Sequence, residues 1–381
     1  MTYRITRWLG VTFAALGTTF GIAIGSASFA LAGDLDYGKA GDPVQLVVGY
    51  QPYYTEAWSG VVMRGKKLYE KYLPKGSTVE FAVGLQGAVI VNAMLAGKQH
   101  IGYVGDMPGI VSTTKQEVAD IRIVATLGLG TDQCNIFLAR TDAPKFANPK
   151  EAIKWLNGKQ VAVPKGSCTD RFAQAVFKKE GVEPAAYLNQ NIEVITSGFR
   201  AHKLDAAVIW EPTASRLVQE GLAKRIASGA SVDENDGGFL TMRADLIKQR
   251  PDVVKAWLNA ELDAQLFLAD PKNAQEVTRL AMEQTTGFSE KILWSSMYGK
   301  YPESDGGAPV RVVLHYTITP EASALITKAT TFLYSIKSIN VDKLRPEAVM
   351  PEFTQALLKE RGLTAPIGAV KAMPETEYKG K

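Results

Sequence analysis

"KLDAAVIWEP", residues 203–212, decides the fold. Ala206 to Trp210 is an unbroken apolar run, closed by Glu211 and Pro212. A run without polar alternation fits a strand covered on both faces, as in the middle of an α/β sheet. The chain writes the pattern a second time in "KQHIGYVGDMP", residues 98–108. His100–Asp106 and Asp205–Glu211 align without a gap, Glu211 lying 105 positions after Asp106. An interval of that length is one α/β lobe occurring twice, not a short solenoid repeat. In open α/β sheets the carboxyl ends of the strands are where ligands bind. Asp106 reads first as a cap for the helix that follows, and both prolines suit a helix's first turn, where a missing N–H costs nothing. Trp210–Glu211 reads as function, an apolar plate beside a charge.

Working outward, "VQLVVGY" (44–50), 79–83, 101–104 and 121–127 read as strands of the first half, with helices over 60–72 and 88–95. Strands over 135–139, 161–163, 192–195 and 206–210, and helices near 150–156 and 169–179, form the second. "GLGTDQ" (128–133) and "SGASVDENDGG" (228–238) read as the two crossings between halves. After Pro251 the pattern is mainly helical, over 252–269, 272–285, 289–297, 320–336 and 350–360, and the polar tail after Thr364 is expected to be disordered. The fold class is therefore α/β in two lobes, each a mostly parallel sheet flanked by helices. Residues 33–130 with 239–381 make the first lobe and 131–238 the second, with a ligand cleft between them.

The N-terminus reads as a cleaved export signal over residues 1–32. Arg4 and Arg7 precede an uncharged stretch from Leu9 to Ile24, and Ala30-Leu31-Ala32 is a small-x-small cleavage site. The arginines are separated, so general secretion is expected rather than the twin-arginine route. Cleavage removes both arginines and no acid, lowering the formal charge from +4 to +2. With that balance, and no basic cluster interleaved with aromatics, nucleic acid is excluded as a partner. The 381 residues, 46% of them hydrophobic, are enough for a sizeable core. Two cysteines, Cys134 and Cys168, are an even count in an oxidising compartment. Spacing alone leaves open a disulfide or two buried thiols, and no metal-binding spacing is present.

"VAVPKGSCTDRFAQAVF" (161–177) ends a strand, turns at glycine, and opens a helix behind Ser167 and Thr169. Free N–H groups and the helix dipole make an anion site there, and "GLQGAVIV" gives the first half an equivalent start at Gly87. Simple N-capping is the plain alternative for Ser167 and Thr169. Arg171 would pair with Asp170 or reach a ligand. GxSxG, HExxH, GxGxxG and the P-loop pattern are all absent, and His100, His202 and His315 are dispersed, so no catalysis and no cofactor is expected.

Taken together, the export signal, "VGYQP", "GYVGDMP", "VAVPKGSCT" and "DAAVIWEP" resemble the periplasmic solute-binding proteins of sulfonate, taurine and nitrate ABC importers, a group that includes binders of the thiamine pyrimidine precursor. The resemblance spans most of the mature chain. It implies a type II periplasmic binding fold that closes on its ligand about two crossings, a monomer in the periplasm, and an inner-membrane permease with its ATPase as partners. It implies ligand contacts at Gln51 and Tyr53, Gly87 and Ala88, Asp106, Ser167 and Thr169, and Trp210 and Glu211. It also places Cys134 and Cys168 near the hinge, where a disulfide is expected. His100, Cys168 and the long stretch 301–316 depart from the family pattern. The ligand would be a small anion or zwitterion, with Glu211 or Glu56 meeting an ammonium; Tyr53, Tyr54, Trp58 and Trp210 would equally suit an aromatic acid or a pyrimidine. A sensory role in place of transport, or an enzyme on this scaffold, are the alternatives.

Overall fold

The computed structural model describes residues 34–380; the expected export signal, residues 1–32, lies outside the described residues. Twelve strands form two sheets. The first contains β1 (Gln45–Tyr50), β2 (Thr78–Val83), β3 (Ile101–Gly105), β4 (Ile121–Gly130), β10 (Asp236–Arg243), β11 (Val310–Leu314) and β12 (Gly368–Lys371), in the order β12-β11-β4-β10-β3-β1-β2. The second contains β5 (Ile136–Arg140), β6 (Gln160–Val163), β7 (Ala186–Asn189), β8 (Ala206–Ile209) and β9 (Ala223–Ser228), in the order β7-β6-β8-β5-β9. Helices flank both, so the α/β class with two sheets stands.

The two apolar runs that opened the reading are central strands. Every residue of β3 and of β8 is buried. β3 pairs in parallel with β1, and β8 in parallel with β6. Most strands of each sheet point the same way, with β10 and β11 reversed in the first and β5 in the second. β4 leaves the first sheet and β10 re-enters it as its neighbour, so the two run antiparallel. β5 and β9, the strands at the other ends of the same crossings, are likewise antiparallel neighbours. Strand–helix alternation shows which segments are strands and is silent on which become neighbours.

Four further expectations change. Residues 192–195 are not a strand but the start of the helix Ile192–Arg200, capped by the Asn191 side chain, which accepts from the Val194 N–H at 2.9 Å. Ile192, Ile195, Thr196 and Phe199 lie three and four apart and are all buried, a helical stripe that extends past the four residues read as β. The 60–72 helix is two pieces, Trp58–Lys66 and a short turn Leu68–Lys71, broken at Lys67, which adopts a left-handed φ of 50°. The return crossing is shorter than 228–238, because β10 already begins at Asp236. The tail after Thr364 is not disordered through its length: β12 pairs antiparallel with β11.

Under the first sheet, the helix Pro251–Ala269 brings Glu261 into the core, where it accepts from the Tyr103 hydroxyl at 2.8 Å and the Gln265 amide at 2.9 Å. Burial pushes its carboxyl up to about 7. A raised carboxyl holds its proton more readily folded than unfolded, so its stabilising share is complete below about pH 4.5 and is lost as pH rises through about 7. Buried His100 and His315, both lowered, have the opposite slope, their share being lost as pH falls. Comparing wild type with Glu261→Gln isolates the carboxyl. Urea midpoints measured from pH 5 to 8 should show the variant gaining on wild type as pH rises; a constant difference would refute the assignment.

Candidate ligand-binding site

The carboxyl ends of β1, β3, β6 and β8 converge on a cavity of about 280 Å³. From the first sheet's side it is walled by Gln51 and Tyr54 after β1, by Gln86 to Ala88 with Val91 and Asn92, and by Gly105, Pro108 and Val111 after β3. From the second sheet's side come Pro164 to Cys168 after β6 and Trp210 after β8, with Ser338 closing the rim. Two helices begin at this wall, Gly87–Leu95 and Cys168–Glu180.

Neither helix start is capped by its own N-cap side chain. Ser167 occupies the cap position, but its hydroxyl donates to the Pro164 carbonyl at 2.6 Å and lies 2.7 Å from the Thr169 hydroxyl. Gly166, at φ +77°, makes the left-handed turn that points the chain into the helix. Its N–H is taken by Asp170 at 2.9 Å. The N–H groups of Gly87, Ala88, Ser167, Cys168 and Thr169 have no acceptor among the described residues. Such orphan donors at a dipole's positive end are suited to an anion. At Gly87 only glycine fits, because a Cβ would run into the Pro108 ring.

The acids at the strand ends point elsewhere. Glu211 is fully buried; one oxygen accepts from the Ser215 N–H at 2.8 Å and the other lies 3.5 Å from Arg225 and 3.6 Å from Arg311. Burial still lifts its carboxyl above the usual range, against the pull of Arg311 and Arg225. Asp106 is the first residue of its helix, whose N-cap is Gly105, and not the cap the sequence suggested; it accepts from the Met107 N–H at 2.7 Å and pairs at 3.1 Å with Arg171, both buried. Arg171 therefore joins neither Asp170 nor the cavity; it reaches across to the first sheet's side and also donates to the Asn235 carbonyl at 2.7 Å. Glu56 is held by the Tyr54 hydroxyl and is pushed by burial to about 7, and Asp236 beside it is pushed well above the usual range by burial and by Glu56.

A family model described as the NMT1-like family matches residues 39–282. The chain belongs to that family. It is 26% identical over 251 residues to the taurine-binding periplasmic protein of Escherichia coli K12, spanning 62% of this chain and 73% of that protein. Its fold is that of the alkanesulfonate-binding protein SsuA from Xanthomonas axonopodis pv. citri, solved bound to MOPS: TM-score 0.63, 19% identity, 81% of this chain and 98% of that one. The desulfurization enzyme DSZB shares the fold as well, with TM-score 0.56 and 16% identity over 83% of this chain and 99% of that one. The resemblance read from the sequence motifs and these matches agree.

Of the nine contacts carried over from the resemblance, the structure gathers Gln51, Gly87, Ala88, Ser167 and Trp210 on the cavity wall. Asp106, Thr169 and Glu211 are buried behind it. Tyr53 turns outward to Thr286, its hydroxyl accepting from that N–H at 3.1 Å, while its carbonyl accepts from the Trp210 indole at 3.1 Å. Trp58 is buried with its indole donating to the Pro52 carbonyl, and is not on the wall. Sequence reading missed Gln86, Asn92, Pro108, Val111, Lys165 and Ser338. Gln86 and Lys165 each stand next to a glycine already singled out, a signal that was there to use. Ser338 follows a helix far along the chain, and nothing local marks it. The long 301–316 stretch supplies Tyr301, whose ring lies under Arg225 and Arg311, and Arg311 itself.

Cys134 and Cys168 form a disulfide, Cα–Cα 6.5 Å, joining the first crossing to the helix start on the wall. Thiol titration of the unreduced, denatured protein should find none, and two after reduction. Closing a loop of 34 residues contributes roughly 4 kcal/mol in the chain-entropy account, so Cys134→Ser should lose up to that amount in urea melts. For the buried Arg171–Asp106 pair, Asp106→Asn should cost about 3–5 kcal/mol by stranding the guanidinium, and adding Arg171→Met should recover part of it. Additive costs in the double-mutant cycle would show that the two do not interact.

Proposed function

We propose that this chain is the periplasmic solute-binding component of an ABC importer for a small anion of the sulfonate or nitrate type. Residues up to 130 with those from 236 form one lobe and residues 136–228 the other. They close over the solute about the crossings 131–135 and 229–235, and the loaded protein hands it to an inner-membrane permease driven by its ATPase. The observation that carries the reading is the pair of uncapped helix starts, at Gly87 and Cys168, facing one cavity from opposite sheets. Orphan N–H groups on both walls bind an anion best when the walls approach, which couples capture to closure. Family membership and the taurine-binding relative support it.

The desulfurization enzyme among the structural neighbours makes catalysis the second reading. The cavity wall speaks against it. The wall residue with a sulfur nucleophile, Cys168, is tied in a disulfide, and no histidine lines the cavity. Nucleophilic catalysis needs a free nucleophile beside a base.

Thermal-shift screening of the mature protein against sulfonates, sulfate esters, nitrate, amino-sulfonates, aromatic acids and pyrimidines tests the proposal. A true ligand at 100-fold excess over its Kd should stabilise by about 2.7 kcal/mol and be recovered unchanged. Trp210→Ala should weaken that ligand at least ~10-fold through loss of the wall's main apolar plate. Stabilisation by none of the anions, or turnover of one, would overturn the reading.

A further inference from the structure

We infer that the solute taken here is an anion whose body carries no cationic group, and that amino-sulfonates of the taurine kind are rejected. The inference rests on the anion-binding function proposed above and deepens it.

An ammonium group drawn into a cavity needs a carboxylate or several carbonyls turned toward it. No aspartate or glutamate lines this cavity. The four acids nearest the wall in sequence are all engaged away from it. Glu211 faces Arg225, Arg311 and the Ser215 N–H. Asp106 faces Arg171 and the Met107 N–H. Asp170 accepts from the Gly166 N–H, the Gln174 amide at 2.8 Å and the Tyr187 hydroxyl at 2.7 Å. Glu56 accepts from the Tyr54 hydroxyl, and Asp236, within 4.8 Å of the Cys168 sulfur, is fully buried and off the wall. To meet an ammonium, Glu211 or Asp106 would have to abandon a buried arginine, leaving that guanidinium without its counter-charge.

What the wall does present is backbone N–H groups, the neutral side chains of Gln51, Gln86, Asn92 and Ser167, and apolar surface, with no carboxylate. The helix starts offer N–H groups; Lys165, on the same loop, is exposed at the rim with its ammonium over the Tyr187 ring, 5.1 Å from the centroid. Trp210's indole N–H is already spent on the Tyr53 carbonyl, so it is the ring and not the N–H that meets the cavity. Val91, Pro108, Val111 and Pro164 continue that surface. The space, about 280 Å³, leaves room for a ring-sized or branched body behind the anion.

Calorimetry on the mature protein with two matched pairs tests this: ethanesulfonate against taurine, and propane-1-sulfonate against 3-aminopropane-1-sulfonate, with benzenesulfonate as a fifth probe. The uncharged-body member of each pair should bind at least ~100-fold more tightly. Taurine or its homologue binding within about threefold of its partner, or more tightly, would overturn the inference while leaving the anion-binding function standing. Binding neither by any of the five nor by nitrate at millimolar concentration would overturn that function, and the inference with it. Gln86→Glu places a carboxylate on the wall beside the Gly87 helix start. It should weaken propane-1-sulfonate at least ~10-fold and narrow the gap within each pair, with an unchanged melting profile of the unliganded protein confirming the fold; an unchanged gap would also overturn the inference.

Discussion

Burying Glu211 between Arg225 and Arg311 strips three ions of their water, and the arrangement holds only because each charge is answered. Asp132 adds a second acid, within 3.4 Å of Arg225 and in contact with Arg311, and Tyr301 lies against both guanidinium groups. The cluster draws Arg225 from β9, Arg311 from β11, Asp132 from the first crossing and Glu211 from the end of β8. It therefore fixes the ends of both sheets against each other at the crossings. The Arg171–Asp106 pair repeats the device on a smaller scale, between the start of the second half's helix and the end of β3.

That internal neutralisation determines what the cavity can be. Carboxylates at strand ends would otherwise project into the cleft and repel anions. Turned inward to arginines, they leave the wall to backbone N–H groups, neutral amides and apolar side chains. The electrostatic character of the site is thus set by residues that do not touch it. A sequence comparison that scored only the identity of Glu211 would assign it the wrong partner.

The architecture was legible because it depends on local pattern. The apolar runs 101–104 and 206–210 are strands wherever they occur, and Gly87 and Gly166 mark helix starts by steric need. Neighbour order was not legible, since the pairing of β4 with β10 joins residues over a hundred positions apart. The run at 192–195 misled because Ile, Val and Ile fit a strand and a helix face alike until Phe199 is counted. Around the cavity, glycine-marked Gly87 and Gly166 lie on the wall, while Asp106, Thr169 and Glu211 lie buried off it. Direction depends on Arg171, Arg225 and Arg311, which arrive from distant segments and carry no local signature toward their partners.

The disulfide has a consequence for when the protein becomes competent. One of its sulfurs belongs to a residue on the cavity wall and the other to the strap between the sheets. A nascent chain kept reduced in the cell interior has that part of the wall unfastened. The covalent tie between wall and strap is completed only where thiols are oxidised, so the cavity's final shape depends on the redox state of the compartment the chain folds in.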